Sequence, residues 1–136
     1  MLQKLKERRG EMLLTGAFKL LLGCAAIALV ISVGAVLFQS NKLAAMAGDV
    51  ARHIEIVGQV DSSADQAFQR LKTTSNLDSA SLSIDANYSA GGTRIQFGDP
   101  FTVTVSYTGK IGIGGFLSLP IPLHSSVVGR SEQYWK

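Results

Sequence analysis

The sequence predicts an α+β protein in which a long N-terminal helix leaves a membrane and a four-stranded antiparallel meander packs against its outer part. Three observations predict this: 19 consecutive uncharged residues from Leu20 to Phe38, an apolar step of three and four residues that continues beyond them, and a two-residue alternation in the C-terminal half. They divide the chain into a basic leader (1–11), a transmembrane helix (12–38) and an extracytoplasmic α+β domain (39–136).

The membrane helix comes first. A mean hydropathy of +0.23 with only 17% charged residues is high for 136 residues, and ten aromatic side chains cannot supply the excess, so the apolar residues must be concentrated in one segment. LLLGCAAIALVISVGAVLF, from Leu20 to Phe38, is long enough to cross the hydrocarbon of a bilayer. The apolar stretch begins at Met12 and only Lys19 interrupts it, at a depth from which its stem can carry the ammonium back to the headgroups. Before Leu20 stand five basic residues against two acidic ones, whereas after Phe38 eight basic residues balance eight acidic ones. The excess positive charge therefore keeps the leader in the cytoplasm and sends the rest across the membrane. With the exported part neutral, no basic face remains to bind nucleic acid.

Two other readings of the N-terminus compete with an uncleaved or barely trimmed anchor. A cleaved secretory signal has a shorter apolar region with a small-residue cleavage site, and this run continues to Phe38. Leu21-Leu22-Gly23-Cys24 has the form at which a bacterial lipid-modified cysteine is made, which gives a lipid-anchored binding module as the alternative function. Against it, AAIALVISVGAVLF follows Cys24 where a polar tether is expected. The lone cysteine also excludes an intramolecular disulfide and a CxxC zinc site.

Beyond Phe38, Leu43, Met46, Ala47, Val50, Ile54 and Val57 form one stripe, with Lys42, Asp49, Arg52 and Glu55 between them, so the helix continues as an amphipathic one, about 70 Å long from Glu11 to Val57. Gly58 loosens it, and Asp61-Ser62-Ser63 starts a second helix, with Ser63 and Gln66 at capping-box spacing and Ala64, Ala67, Phe68 and Leu71 as its stripe. Thr73 to Asn76 end it. Ala80 to Ser89 alternates without a miss, Ala90-Gly91-Gly92 turns the chain into a strand from Thr93 to Phe97, and Gly98-Asp99-Pro100 turns it into the alternating Phe101 to Thr108. A last strand is expected from about Leu123 to Tyr134, reached through a loop from Gly114 to Pro122.

Few residues invite chemistry. His53 and His124 stand apart from any convergent nucleophile and carboxylate, and the glycines at 109, 112, 114 and 115 are followed by Pro120 and Pro122 where a phosphate-binding helix would start. The chain reads as a non-enzyme with no cofactor, no metal site and no evident small-molecule substrate. Two features point to contacts instead. Cys24, Ala28, Ser32 and Ala35 form a stripe of small residues that lets another helix approach closely. Phe116, Leu117, Leu119 and Ile121 lie in an uncharged loop that covers the core by default, or dips toward the membrane, or meets a partner.

The leader KLKERRG, then Glu11, then a long apolar helix running into an exported β-meander, resembles the type IV pilin superfamily and particularly TadE-like pseudopilins. The C-terminal GRSEQYWK is similar to that of small pilin-like membrane proteins of Gram-positive bacteria associated with Tad-type or conjugative systems. The resemblance implies a single-pass assembly or scaffold protein of a surface, secretion or conjugation apparatus, whose partners are the membrane and other pilin-like subunits, including further copies of itself. It also implies peptidase cleavage after Gly10, which would make Glu11 the first mature residue. Thr15 then stands fifth, where the family has a glutamate that pairs with a neighbour's new amino terminus. A carboxylate at Glu11 also suits the start of a helix, where it meets the positive end of the helix dipole.

Overall fold

The computed structural model describes residues 2–89, 92–113 and 117–136. Leu2–Val57 forms one continuous helix, α1, whose 56 residues extend about 84 Å. No proline interrupts it, and the polar Gln39-Ser40-Asn41-Lys42 between its apolar halves contains no helix breaker. Starting at Leu2, α1 leaves Glu11 more than two turns inside, beyond the reach of the N-terminal dipole expected to favour it.

The second helix, α2 (Ser62–Ser75), begins and ends where the sequence predicts, but its cap differs. Asp61 is the N-cap and accepts from the Ser63 backbone N–H at 2.9 Å, so Ser63 lies inside the helix and the expected Ser63–Gln66 box does not form. Asn76 closes the other end in the left-handed conformation, its N–H donating to the Lys72 and Thr73 carbonyls. Ser63 lies beside His53 and Ser75 beside Lys42, so α2 runs antiparallel to α1.

The sheet has three strands, not four. β1 (Ser81–Ala86), β2 (Pro100–Ile113) and β3 (Leu117–Arg130) form an antiparallel sheet in the order β1-β2-β3. The expected strand from Thr93 to Phe97 reduces to isolated bridges, Tyr88 with Ile95 and Gln59 with Arg94. Its backbone is shared between two neighbours: Ser89 N–H donates to the Arg94 carbonyl, while Val60 donates to Thr93 and Ile95 donates to Gly58. The segment thus crosses from Tyr88 to the end of α1 instead of extending a ladder. Ala90 and Gly91 of the expected turn lie outside the described residues.

β2 and β3 are longer than expected. The predicted loop from Gly114 to Pro122 is strand from Leu117 onward, with Pro120 and Pro122 in register opposite Lys110 and Thr108. β3 is an edge strand, where nitrogens that point away from β2 need no N–H, so prolines two residues apart are accommodated. At the other end β3 stops at Arg130, not Tyr134.

One core joins these elements. Leu43, Met46, Ala47, Val50 and Ile54 of α1 pack with Ala64 and Phe68 of α2, with Phe101, Val103 and Val105 of β2, and with Leu77, Ala80 and Ile95. The predicted stripe of α1 is therefore the face that carries the domain, and each of Leu43, Met46, Val50 and Ile54 contributes about 1.5–3 kcal/mol by leaving water.

The last residues close the end of α1. Gly58, at φ +69°, donates its N–H to the Ile54 carbonyl at 2.7 Å. Carbonyls left without a helical partner are taken by residues some 77 positions on. Glu132 N–H donates to the Glu55 carbonyl (3.0 Å), Gln133 Nε2 to that of Ile56 (2.9 Å) and Trp135 Nε1 to that of Gly58 (3.1 Å). The Glu55 carboxylate accepts from the Arg130 N–H, and Gly129 lets it approach, since a Cβ there would lie 2.8 Å from Glu55 Oε1.

Candidate membrane interface

α1 changes character along its length. From Met12 to Phe38 its large apolar side chains other than Val36 are exposed, Leu14 at 77% and Phe18 at 67%, whereas from Leu43 to Ile54 the stripe is buried. Among the described residues α1 is the helix long and apolar enough to cross a membrane.

The buried face begins deeper than the domain boundary suggests. Ser32, Val36 and Gln39 lie at steps of four and three on one side of α1, and Val36 is buried. The distal half of the β2–β3 hairpin covers them. β1 pairs only with Phe101–Ser106, so from Tyr107 on, β2 and β3 continue as a two-stranded ribbon against α1. A Cβ on Gly109 would lie 3.0 Å from Gln39 Oε1, and Ser32 Oγ donates to the Gly112 carbonyl at 2.9 Å. Seven helical residues rise about 10 Å and three extended residues cover about 10 Å, so the ribbon runs alongside α1 toward its N-terminus. Gly109, one of the glycines that fail as a phosphate loop, allows this close approach. Gln39 Oε1 is buried at the contact without a hydrogen-bond partner among the described residues.

The four small residues of the predicted helix-packing stripe separate accordingly. Ser32 Oγ lies 2.9 Å from both the Gly112 and the Ala28 carbonyls, which share its single proton, Ala28 is half-buried, and Cys24 and Ala35 are exposed. Of the apolar loop residues, Leu117 (64%) and Leu119 (62%) are exposed, so they do not cover the core; Ile121 is half-buried and Phe116 lies outside the described residues. Gly10 and Glu11 are exposed within α1. The contact of Ser32 with Gly112 spans 80 positions, and no local pattern announced it.

Away from the apolar segment of α1, Asp61, Ser63 and His53 come together. Ser63 Oγ donates to Asp61 Oδ1 and lies 3.0 Å from His53 Nε2, while Gln59 Nε2 donates to Asp61 Oδ2 at 2.7 Å. The serine stands between histidine and carboxylate with its proton committed to Asp61, so His53 donates to Ser63 and does not activate it. A nucleophilic triad needs the histidine in the middle. The donated Ser63 hydroxyl bond is the main cause that holds the Asp61 carboxyl below its usual range, aided by the Ser63 and Ala64 N–H groups and Gln59 and opposed by desolvation. This is a helix cap.

No curated protein and no solved structure matches the chain. A family model, a domain of unknown function (DUF4320), matches residues 20–136, from the start of the uncharged run through both helices and the sheet to the segment that closes α1. The match covers most of the chain and takes in the apolar helix together with the domain built on it, so the protein belongs to the DUF4320 family.

Proposed function

We propose that this protein is a single-pass membrane subunit, with its leader in the cytoplasm and its α+β domain outside, that acts as a pilin-like, TadE-like assembly or scaffold protein of a surface, secretion or conjugation apparatus. It works by contact, without catalysis. One observation carries the reading: a single unbroken helix is apolar over Met12–Phe38 and exposed there except where the ribbon covers Ser32 and Val36, and it forms the central element of a packed domain over Leu43–Ile54. A force or displacement applied to the domain is transmitted along α1 without a hinge, as suits a subunit whose anchor and head are placed together. Cys24 and Ala35, exposed on α1, mark a side on which a neighbouring helix can approach closely. The charge asymmetry about Leu20–Phe38 supports the orientation.

The test is the intact mass and N-terminal sequence of the full chain extracted from bacterial membranes, with labelling of a cysteine at Ser40 in a Cys24→Ser background. Loss of residues 1–10 with Ser40 labelled from outside supports a processed pilin-like subunit. An uncut chain with the same labelling supports a static scaffold. A chain beginning at Cys24 with an added lipid mass, or a Ser40 position labelled only from the cytoplasm, overturns the reading.

A further inference from the structure

We propose that the β2–β3 ribbon is a second membrane element, its apolar end seated in the outer leaflet beside α1; this rests on the reading of α1 as the membrane anchor. The register between ribbon and helix carries the argument. Ser32, which binds the Gly112 carbonyl, lies six residues inside the apolar stretch that ends at Phe38, a depth of about 9 Å along the helix. If α1 crosses the bilayer over that stretch, the ribbon enters with it.

The polar boundary falls at one height on both elements. On α1 the first polar residues after Phe38 are Gln39 to Lys42, with the Lys42 ammonium 4.9 Å from the Phe38 ring centroid and donating to the Ser75 carbonyl. On the ribbon the last charge is Lys110, next to Gly109, which abuts Gln39. From Ile111 to Leu119 the chain carries no charge, and Leu117 and Leu119 of this part are exposed although they pair in register with Ile113 and Ile111. Two elements that meet at Gln39 and Gly109, 70 positions apart in sequence, thus change from polar to apolar at the same level, as a shared hydrocarbon boundary requires.

The occupant is lipid. A ribbon end covered by protein needs no common boundary with the helix, but one in a leaflet does. Open strand edges are poorly tolerated in hydrocarbon because their N–H groups find no water. Pro120 and Pro122 remove two such donors from the edge strand just where the ribbon reaches the boundary, with Gly112 about 9 Å inside it, and the part of the ribbon from Tyr107 to Gly109 stays at the wet interface. The ribbon and α1 together then fix how the domain is rotated about the membrane normal, which a single helix cannot do.

The full chain in a Cys24→Ser background, reconstituted in vesicles of phosphatidylethanolamine and phosphatidylglycerol, tests this with an environment-sensitive fluorophore placed in turn at Leu119→Cys, Leu117→Cys, Val30→Cys and Ser126→Cys. Trp135 fluorescence confirms that each variant is folded. Blue-shifted emission at Leu119 and Leu117, quenched several-fold more by nitroxide lipids than by aqueous iodide, with Ser126 in water, is the expected result. Quenching by lipid at Val30 with both leucines in water overturns the inference and leaves the anchor standing, whereas all four positions in water overturn the anchor itself. Leucines that are wet in vesicles and protected only in native membranes assign the ribbon to a protein partner, which also overturns the inference.

Discussion

The two halves of α1 share one backbone and one mean direction, yet they meet different surroundings. Over Met12–Phe38 apolar residues occupy every face and stay exposed except on the side where the ribbon covers Ser32 and Val36; over Leu43–Ile54 they occupy one stripe, which is buried, with Asp49 and Arg52 turned outward. A helix apolar all round needs cover on every side, from lipid or from protein, and a helix apolar on one side needs only one packing surface, here a sheet. The distribution of side chains around the helix, and not their mean hydropathy, decides which solvent each half requires.

The largest effect that breaks the comparison is Ile54→Ala. Ile54 is fully buried, so its loss leaves a cavity in the domain, and the expected destabilisation is about 2–5 kcal/mol, read as a lower melting temperature of the full chain in detergent. The matching Leu22→Ala, at 61% exposure, leaves that melting temperature unchanged. Equal losses for the two variants would mean that both halves belong to one protein core.

Val30→Arg reverses the test. A charge near the middle of the span disfavours insertion by about 2.5–3.5 kcal/mol, so the membrane-integrated fraction falls in a carbonate-extraction assay. The domain, whose core begins at Leu43, keeps its melting transition. A variant that integrates normally but melts early would place Val30 in a protein contact.

How far the sequence revealed this architecture depends on distance along the chain. Both halves of α1 and the stripe of α2 were legible because helical periodicity is local, and all but Val57 of the predicted α1 stripe is buried. β1 and the first half of β2 were legible from alternation. Gly109, Gly112, Pro120 and Pro122 disguised the ribbon as a loop, because glycine and proline are strand breakers unless a helix presses close or an edge lies open. Thr93–Phe97 alternates well enough for a strand, but its backbone is divided between Tyr88 and the end of α1. In the candidate interface, the small residues of α1 were visible, whereas the ribbon that occupies Ser32 was not.

The two helix ends in the α+β domain extend the comparison, since helix ends need partners for their free backbone groups that a helix interior does not. α1 is capped from the far end of the chain. In Gly58→Ala a side chain enters the left-handed conformation, at about 1–2 kcal/mol, and its Cβ meets Gln133 and lies 3.1 Å from Trp135 Nε1. The C-terminal segment is expected to detach, with Trp135, the sole tryptophan, shifting its emission to the red. Unchanged emission would mean that the segment does not depend on the Gly58 contact.

α2 is capped from next door, and its cap titrates. Removing the Asp61 side chain in Asp61→Ala is expected to lower stability by about 1 kcal/mol. The folded protein holds the Asp61 carboxyl below its ordinary 3.8, chiefly because Ser63 donates to the ionised form, so the unfolded chain binds the proton more readily. The stabilisation is therefore fully present above the ordinary value and is lost as pH falls through the lowered one. Asp61→Asn separates the charge from the cap, because asparagine also accepts from the Ser63 N–H but does not ionise. Asp61→Asn should stay near wild-type stability at neutral pH and lose less than wild type on acidification below about pH 4, since this carboxyl no longer contributes. If its acid sensitivity equals that of wild type, the Ser63 bond does not favour the ionised carboxylate, and Asp61 caps α2 by shape alone.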